Sequence, residues 1–207
     1  MKAVGYQQSL PIDNPASLQD ITLADPVASG RNLLVEVKAI SVNPVDTKVR
    51  VRMAPPAGAW KVLGWDAAGV VKAVGSEAVL FKPGDRVWYA GDLTRQGTNA
   101  ELHLVDERIV GRMPGTLDFS EAAALPLTAI TAWEMLFDRL GLRPGKQATD
   151  DTLLIIGAAG GVGSIMTQLA RRLTGLTIIG TASRPETRTW VKERGAHYVI
   201  DHTKPLT

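Results

Sequence analysis

The alternation of apolar and polar positions changes character near residue 125. Upstream, short strand-like runs fall at 1–7, 19–23, 32–42, 69–74, 86–90, 100–105 and 108–111. Turn signals such as Asp25-Pro26, Pro55-Pro56 and Pro83-Gly84-Asp85 separate them, so the pattern predicts strands joined by tight turns. Many short strands of this kind imply a closed or partly closed barrel. Downstream, helix and strand alternate. Ser120 is placed to cap a helix at 120–124 that continues through Leu136, with apolar positions at Ile130, Trp133, Leu136 and Phe137. A polar loop at 143–151 leads to a strand at 152–156, an amphipathic helix, and strands at 177–182 and 198–201. The chain thus divides into domains 1–125 and 126–207, of mixed β and α/β character, with no internal repeat.

Residues 152–165 read TLLIIGAAGGVGSI: an apolar run, a glycine cluster, then the start of a helix with Ile165, Met166, Leu169, Ala170 and Leu173 on its apolar face. Strand, tight turn and helix N-terminus is the order a nucleotide site requires. Gly160 lets the backbone approach a pyrophosphate, Gly163 lets the helix pack on its strand, and the free N–H groups of the first turn face the anion. Ala159, Gly160, Gly161, Val162 and Gly163 are therefore candidate cofactor contacts. A glycine-rich turn that binds nothing is the alternative; the second strand at the right distance argues against it.

The end of that second strand selects the dinucleotide. About 20 residues past the glycines, NAD-binding versions place a carboxylate on the ribose hydroxyls. Here that position is Ser183, followed by Arg184. A hydroxyl and a guanidinium accept a 2′-phosphate that a carboxylate would repel, which predicts NADP(H). Alternatively, Arg184 is a solvated charge leading a helix with Pro185 in its first turn. His202, just past the third strand, is a further candidate for the same adenosine pocket.

Composition narrows the function. The 207 residues are 45% hydrophobic and 21% charged, with a net charge of +2 and the basic residues scattered. Nothing calls for nucleic acid. No apolar run approaches the length of a membrane span and no leader pattern opens the chain, so a cytoplasmic location is expected. The absence of cysteine removes disulfides and thiol nucleophiles.

Ordered motifs then carry a family resemblance. AVGYQQ near the start, VNPVDTK at 42–48, LGWDAAGVV at 63–71, PGDRVWYAG at 83–91, EAAALPLTAITAWEML at 121–136 and GAAGGVGS at 157–164 together resemble the medium-chain dehydrogenase/reductase superfamily. The similarity is to its quinone oxidoreductase branch and, within it, to the zinc-type alcohol dehydrogenase-like proteins. The resemblance implies an N-terminal GroES-like, partly open β-barrel followed by a Rossmann domain (a doubly wound parallel sheet), with the active site in the cleft between them. It also implies homodimers among full-length relatives. Members of this family are longer, so the Rossmann domain is expected to be truncated here, with the strand at 152–156 left as an edge and dimer and nicotinamide contacts missing.

In the zinc-using branch a Cys stands at the position of Asn43 and a His-Glu pair at Trp65-Asp66. The three histidines here, His103, His197 and His202, lie elsewhere in the sequence. Zinc needs three or four Cys, His or carboxylate ligands, and Asp46 with Asp66 are too few, so no zinc is expected. Without a Lewis acid to stabilise an alkoxide, the expected substrates are already electrophilic: quinones or α,β-unsaturated carbonyls reduced by hydride, with the resulting oxyanion held by hydrogen bonds. By matched motif, Asn43 contacts nicotinamide or substrate oxygen and Lys48 stabilises the oxyanion or donates the proton. Trp65 walls the pocket, and Thr128 contacts the nicotinamide end. Alternatives stand beside these roles: Lys48 as a surface charge near Arg50 and Arg52, Trp65 as a packed core aromatic, and Asp46 as an acceptor holding its loop. Tyr89 reaches the cleft only if its strand turns it that way. The competing functions are a non-catalytic or NADP(H)-responsive binding polypeptide and, third, a zinc-dependent alcohol dehydrogenase.

Overall fold

The computed structural model of the chain describes residues 1–146 and 150–205. Two compact units result, Met1–Leu127 and Thr128–Thr207.

The first unit runs β1 (Lys2–Tyr6), β2 (Gln19–Thr22), β3 (Asn32–Ser41), α1 (Pro44–Arg52), β4 (Lys61–Val62), β5 (Asp66–Val74), β6 (Arg86–Ala90), β7 (Leu102–Asp106), β8 (Gly111–Arg112) and α2 (Phe119–Ala123). All of its pairings are antiparallel. They form a three-stranded sheet ordered β2-β1-β4 and a five-stranded sheet ordered β7-β3-β5-β6-β8, neither closed on itself. Leu33 and Val35 of β3, Ala67 and Val71 of β5, Val87 and Tyr89 of β6 and Val105 of β7 form one core cluster. A second cluster joins Tyr6, Val49, Leu63 and Trp65, packing α1 against the smaller sheet.

The second unit begins within α3 (Pro126–Trp133), which passes into a π-helical stretch at Glu134–Arg139. Then come β9 (Thr152–Ile155), α4 (Gly161–Leu173), β10 (Thr177–Thr181), α5 (Pro185–Glu193) and β11 (Tyr198–Ile200). The strands are parallel in the order β11-β10-β9, which is the 3-2-1 half of a doubly wound sheet. Its core holds Ile155, Ala158, Met166, Ala170, Ile178 and Val191, with Ala132 and Leu136 from the preceding helices. β9 lies at the sheet's edge, as the sequence leads one to expect, and Leu154 and Ile156 remain exposed.

Several expected elements differ. The run at 108–111 is not one strand. The Asp106 carboxylate accepts the Arg108 N–H at 2.9 Å and starts a 3-10 turn, Glu107–Ile109, so only Gly111–Arg112 pairs, as β8. The buried Glu107 carboxylate explains the turn: it accepts the N–H groups of Val79 and Leu80 and meets Arg31, which a strand would not permit. Asp118, not Ser120, caps α2. It forms a reciprocal box with Glu121, with bonds of 2.8 and 3.0 Å. The helix expected through Leu136 ends as an α-helix at Trp133, and the next turn widens so that Leu140 N–H reaches Met135 C=O. α1 and β4 were not anticipated. The polar loop expected at 143–151 lies partly outside the described residues.

Candidate functional site

Two groups of residues hold the chemistry, one in each unit. In the second unit, β9 runs out into a turn in which Gly157 has φ +70°, a left-handed conformation that favours glycine. Its N–H donates to Thr181 Oγ1 at 2.9 Å, and the Ala158 N–H donates to the Thr181 carbonyl at 3.2 Å. The turn is thereby tied to the C-terminal end of β10. α4 starts directly after it, with Gly160 as N-cap, and a helix N-terminus leaves its first N–H groups without intrahelical partners. A Cβ on Gly163 would lie 2.5 Å from the Gly157 carbonyl oxygen and 2.7 Å from Ala158 Cα. Only glycine allows α4 to approach the turn this closely. Ala159 and Val162 pack partly buried against the core below. Thr128 comes to the same place: its Cγ2 would stand 3.3 Å from a Cβ on Gly161.

The other candidate adenosine-side residues gather at the same strand ends. Ala182 N–H donates to the Ile200 carbonyl at 3.0 Å, so Ser183 and His202 leave adjacent parallel strands near each other. Ser183 is half-buried and His202 exposed. Arg184 is the N-cap of α5, followed by Pro185, and is exposed, with its Nε 3.1 Å from Glu186 Oε1. Arg188 lies one turn further along α5, its N–H bonded to the Arg184 carbonyl at 2.9 Å.

In the first unit a buried polar cluster surrounds Asp66, at the start of β5. Asp66 is fully buried. Its Oδ2 accepts Asn43 Nδ2 at 2.9 Å, its Oδ1 accepts the Leu127 N–H at 2.7 Å, and its carbonyl accepts Thr98 Oγ1 at 3.3 Å. Burial pushes its carboxyl above the usual range. The bonds from Asn43 and Leu127 oppose that rise, and the charge of Asp46 adds to it. Asn43 caps α1, and Asp46 at the third helical position accepts the Asn43 N–H at 2.8 Å. Burial also raises Asp46, against the N–H groups of Asn43 and Gly64 that bond to it. The signal for α1 was present in Asn43-Pro44-Val45-Asp46: a cap, a proline in the first turn and an acidic third residue.

The structure separates the other candidates of this unit. Lys48 is exposed on α1, whereas its neighbour Arg50 is buried and donates to the Leu10 carbonyl at 2.6 Å. Trp65 is buried. It packs among Tyr6, Val49 and Leu63, its Nε1 without a hydrogen-bond partner among the described residues. Strand alternation turns Tyr89 inward, where its hydroxyl meets His103 Nδ1 at 3.0 Å and the rings stack.

At the positions where the zinc-using branch carries ligands, Asn43 presents an N–H donor to Asp66 and Trp65 is a core aromatic. Among the described residues no three His, Cys, Asp or Glu side chains converge. No helix there is long and apolar enough to cross a membrane.

A GroES-like unit ahead of a Rossmann-like parallel sheet defines a class of oxidoreductase folds, and residues 29–131 match the alcohol dehydrogenase GroES-like domain family. The chain is similar to zinc-type alcohol dehydrogenase-like proteins and quinone oxidoreductases of the medium-chain dehydrogenase/reductase superfamily. Among relatives, it is 43% identical over 210 residues to the zinc-type alcohol dehydrogenase-like protein SACOL2177 of Staphylococcus aureus (strain COL), covering 100% of this chain and 61% of that protein. It is 40% identical over 174 residues to a quinone oxidoreductase of Pseudomonas aeruginosa, covering 84% of this chain and 51% of the relative. Among solved structures, a protein of Rhizobium etli CFN 42 named for the zinc-dependent alcohol dehydrogenases superposes with TM-score 0.92 at 61% identity, over 100% of this chain and 60% of that one. Escherichia coli quinone oxidoreductase complexed with NADPH superposes with TM-score 0.79 at 29% identity, over 99% and 60%. The chain therefore spans about three fifths of the length of the relatives that match all of it.

Proposed function

We propose that the chain serves an NADPH-dependent, zinc-independent oxidoreductase acting on quinones or α,β-unsaturated carbonyls. One observation carries the reading: the glycine turn is tied to the end of β10, and the residues that follow there are Ser183 and Arg184, with no carboxylate at the position that reads a free ribose. The relative solved with NADPH supports it. The N–H groups of Gly161, Val162 and Gly163 would hold the pyrophosphate and Ser183 and Arg184 the 2′-phosphate, with His202 beside them. Bound there, the nicotinamide supplies a hydride. Thr128, against Gly161, would contact the nicotinamide end. Asn43 and Lys48 are the proposed hydrogen-bonding groups for substrate oxygen, Lys48 as a donor that also supplies the proton.

The zinc-independent part rests on the donor set. A buried aromatic and an amide already bonded to Asp66 are not ligands for a Lewis acid. A substrate that is electrophilic by itself, such as a quinone or enone, needs less activation than a simple alcohol.

A second reading, binding of NADP(H) without turnover, is favoured by the engagement of the first unit's polar groups with each other. The Asn43 amide N–H and both Asp66 carboxylate oxygens are occupied internally.

The test measures dinucleotide binding and NADPH oxidation with a panel of quinones and enones. The reading expects NADPH to bind more tightly than NADH and to be consumed only with those acceptors. In Arg184→Glu the preference should shift towards NADH. Equal loss of both dinucleotides would overturn the phosphate pocket, and binding without consumption would establish the second reading.

A further inference from the structure

The cation proposed to receive the 2′-phosphate already has an anionic neighbour. Arg184 Nε lies 3.1 Å from Glu186 Oε1, and both side chains are largely exposed. Resting on the NADP(H) reading above, we propose that Glu186 is a specificity-determining residue: its carboxylate competes with the 2′-phosphate for the Arg184 guanidinium and sets how strongly NADPH is preferred over NADH. Carboxylates and phosphates take the same guanidinium donors, so the two anions compete for the one cation.

The helix enforces this competition. Glu186 stands in the first turn of α5, two residues past its Arg184 cap, where the aligned backbone dipoles favour an acidic side chain. Pro185 between them has its φ fixed, which holds the two in register. NADH, which lacks the 2′-phosphate, does not need the Arg184–Glu186 pair to open.

Removing the competitor should help only the phosphorylated dinucleotide. Because the pair is exposed, the gain is modest, about two- to fivefold in affinity.

The experiment titrates NADPH and NADH against the wild-type chain, Glu186→Gln, Arg184→Gln and the double variant, by isothermal calorimetry. Glu186→Gln is expected to tighten NADPH about two- to fivefold and to leave NADH unchanged. The gain should vanish when Arg184 is also replaced, since no guanidinium remains to compete for. The proposal is overturned if NADPH binding is unchanged or weakened, if NADH tightens in step, or if the gain persists without Arg184. A wild-type chain that prefers NADPH but does not respond to Glu186→Gln overturns this inference alone. One that shows no preference for NADPH, or binds neither dinucleotide, overturns the NADP(H) reading and this inference with it.

Discussion

His103 makes the stability of the first unit depend on pH in a direction that can be worked out. Its ring is buried beneath β6, with Nδ1 accepting from the Tyr89 hydroxyl at 3.0 Å and Nε2 donating to the Gln96 carbonyl at 3.0 Å. Burial lowers its pKa from 6.5 to about 4; the Gln96 carbonyl opposes the shift and Arg95 adds to it. The native state therefore holds a neutral imidazole that the unfolded chain protonates below about pH 6.5. Stability is fully present above that pH and is lost as pH falls towards 4. Each pH unit in that window is worth about 1.36 kcal/mol, so the loss totals about 3 kcal/mol. A domain of ordinary stability has only about 5–15 kcal/mol to lose. Asp46 and Asp66 work the other way: their folded values are raised, so their contribution is largest at low pH and falls as pH rises through the folded values. The comparison must therefore be made against a variant. Urea unfolding of wild type and His103→Gln, followed by circular dichroism from about pH 7 to about pH 4.5, should show the wild type losing about 3 kcal/mol more than the variant. Parallel pH dependences would refute the argument.

Further outcomes follow from the packing. Gly163→Ala forces a Cβ onto the Gly157 carbonyl and should destabilise by about 1–3 kcal/mol and cut dinucleotide affinity at least about tenfold. Gly161→Ala meets only Thr128 Cγ2 at 3.3 Å and should cost far less in thermal unfolding. Equal losses in the two would contradict the geometry. Asp66→Ala leaves the Leu127 N–H and Asn43 Nδ2 without their acceptor and should cost about 2–5 kcal/mol. Asp66→Asn, which keeps an acceptor for one of them, should cost less; chemical denaturation ranks the two. Trp65→Phe keeps the packing and removes a buried N–H that has no partner, so unfolding should change by less than about 1 kcal/mol, with KM for the acceptor unmoved. A raised KM would restore Trp65 to the pocket wall.

What was legible in the sequence followed from local rules. The strand-turn-helix order around 152–165 needs only apolar runs and glycine spacing, and β9, the glycine turn and α4 appear where those rules put them. The resemblance carried the GroES-like unit and its place ahead of the parallel sheet; the structure has both, with the strands of that unit in two open sheets and not a closed barrel. Where a side chain competes with the backbone, the reading failed. Asp106 and Glu107 divert their own segment into a turn, and Asp118 takes the cap from Ser120. α1 escaped because its apolar positions show no helical period; only its capping residues mark it.

The amino-acid order alone set which residue types were available: no cysteine, an asparagine and a tryptophan at ligand positions, and a serine and arginine where a carboxylate reads a free ribose. Those identities shape the metal and cofactor expectations, because ligation and charge depend first on chemical type. Tertiary structure decided what each group is free to do. Asp66 receives Asn43, 23 positions away, and Leu127, 61 positions away; Trp65 turns into the core; and Glu186 meets Arg184 across a proline. Such pairings depend on where distant segments meet and which way a strand or helix faces its side chains, and the linear pattern does not encode that geometry in any local run.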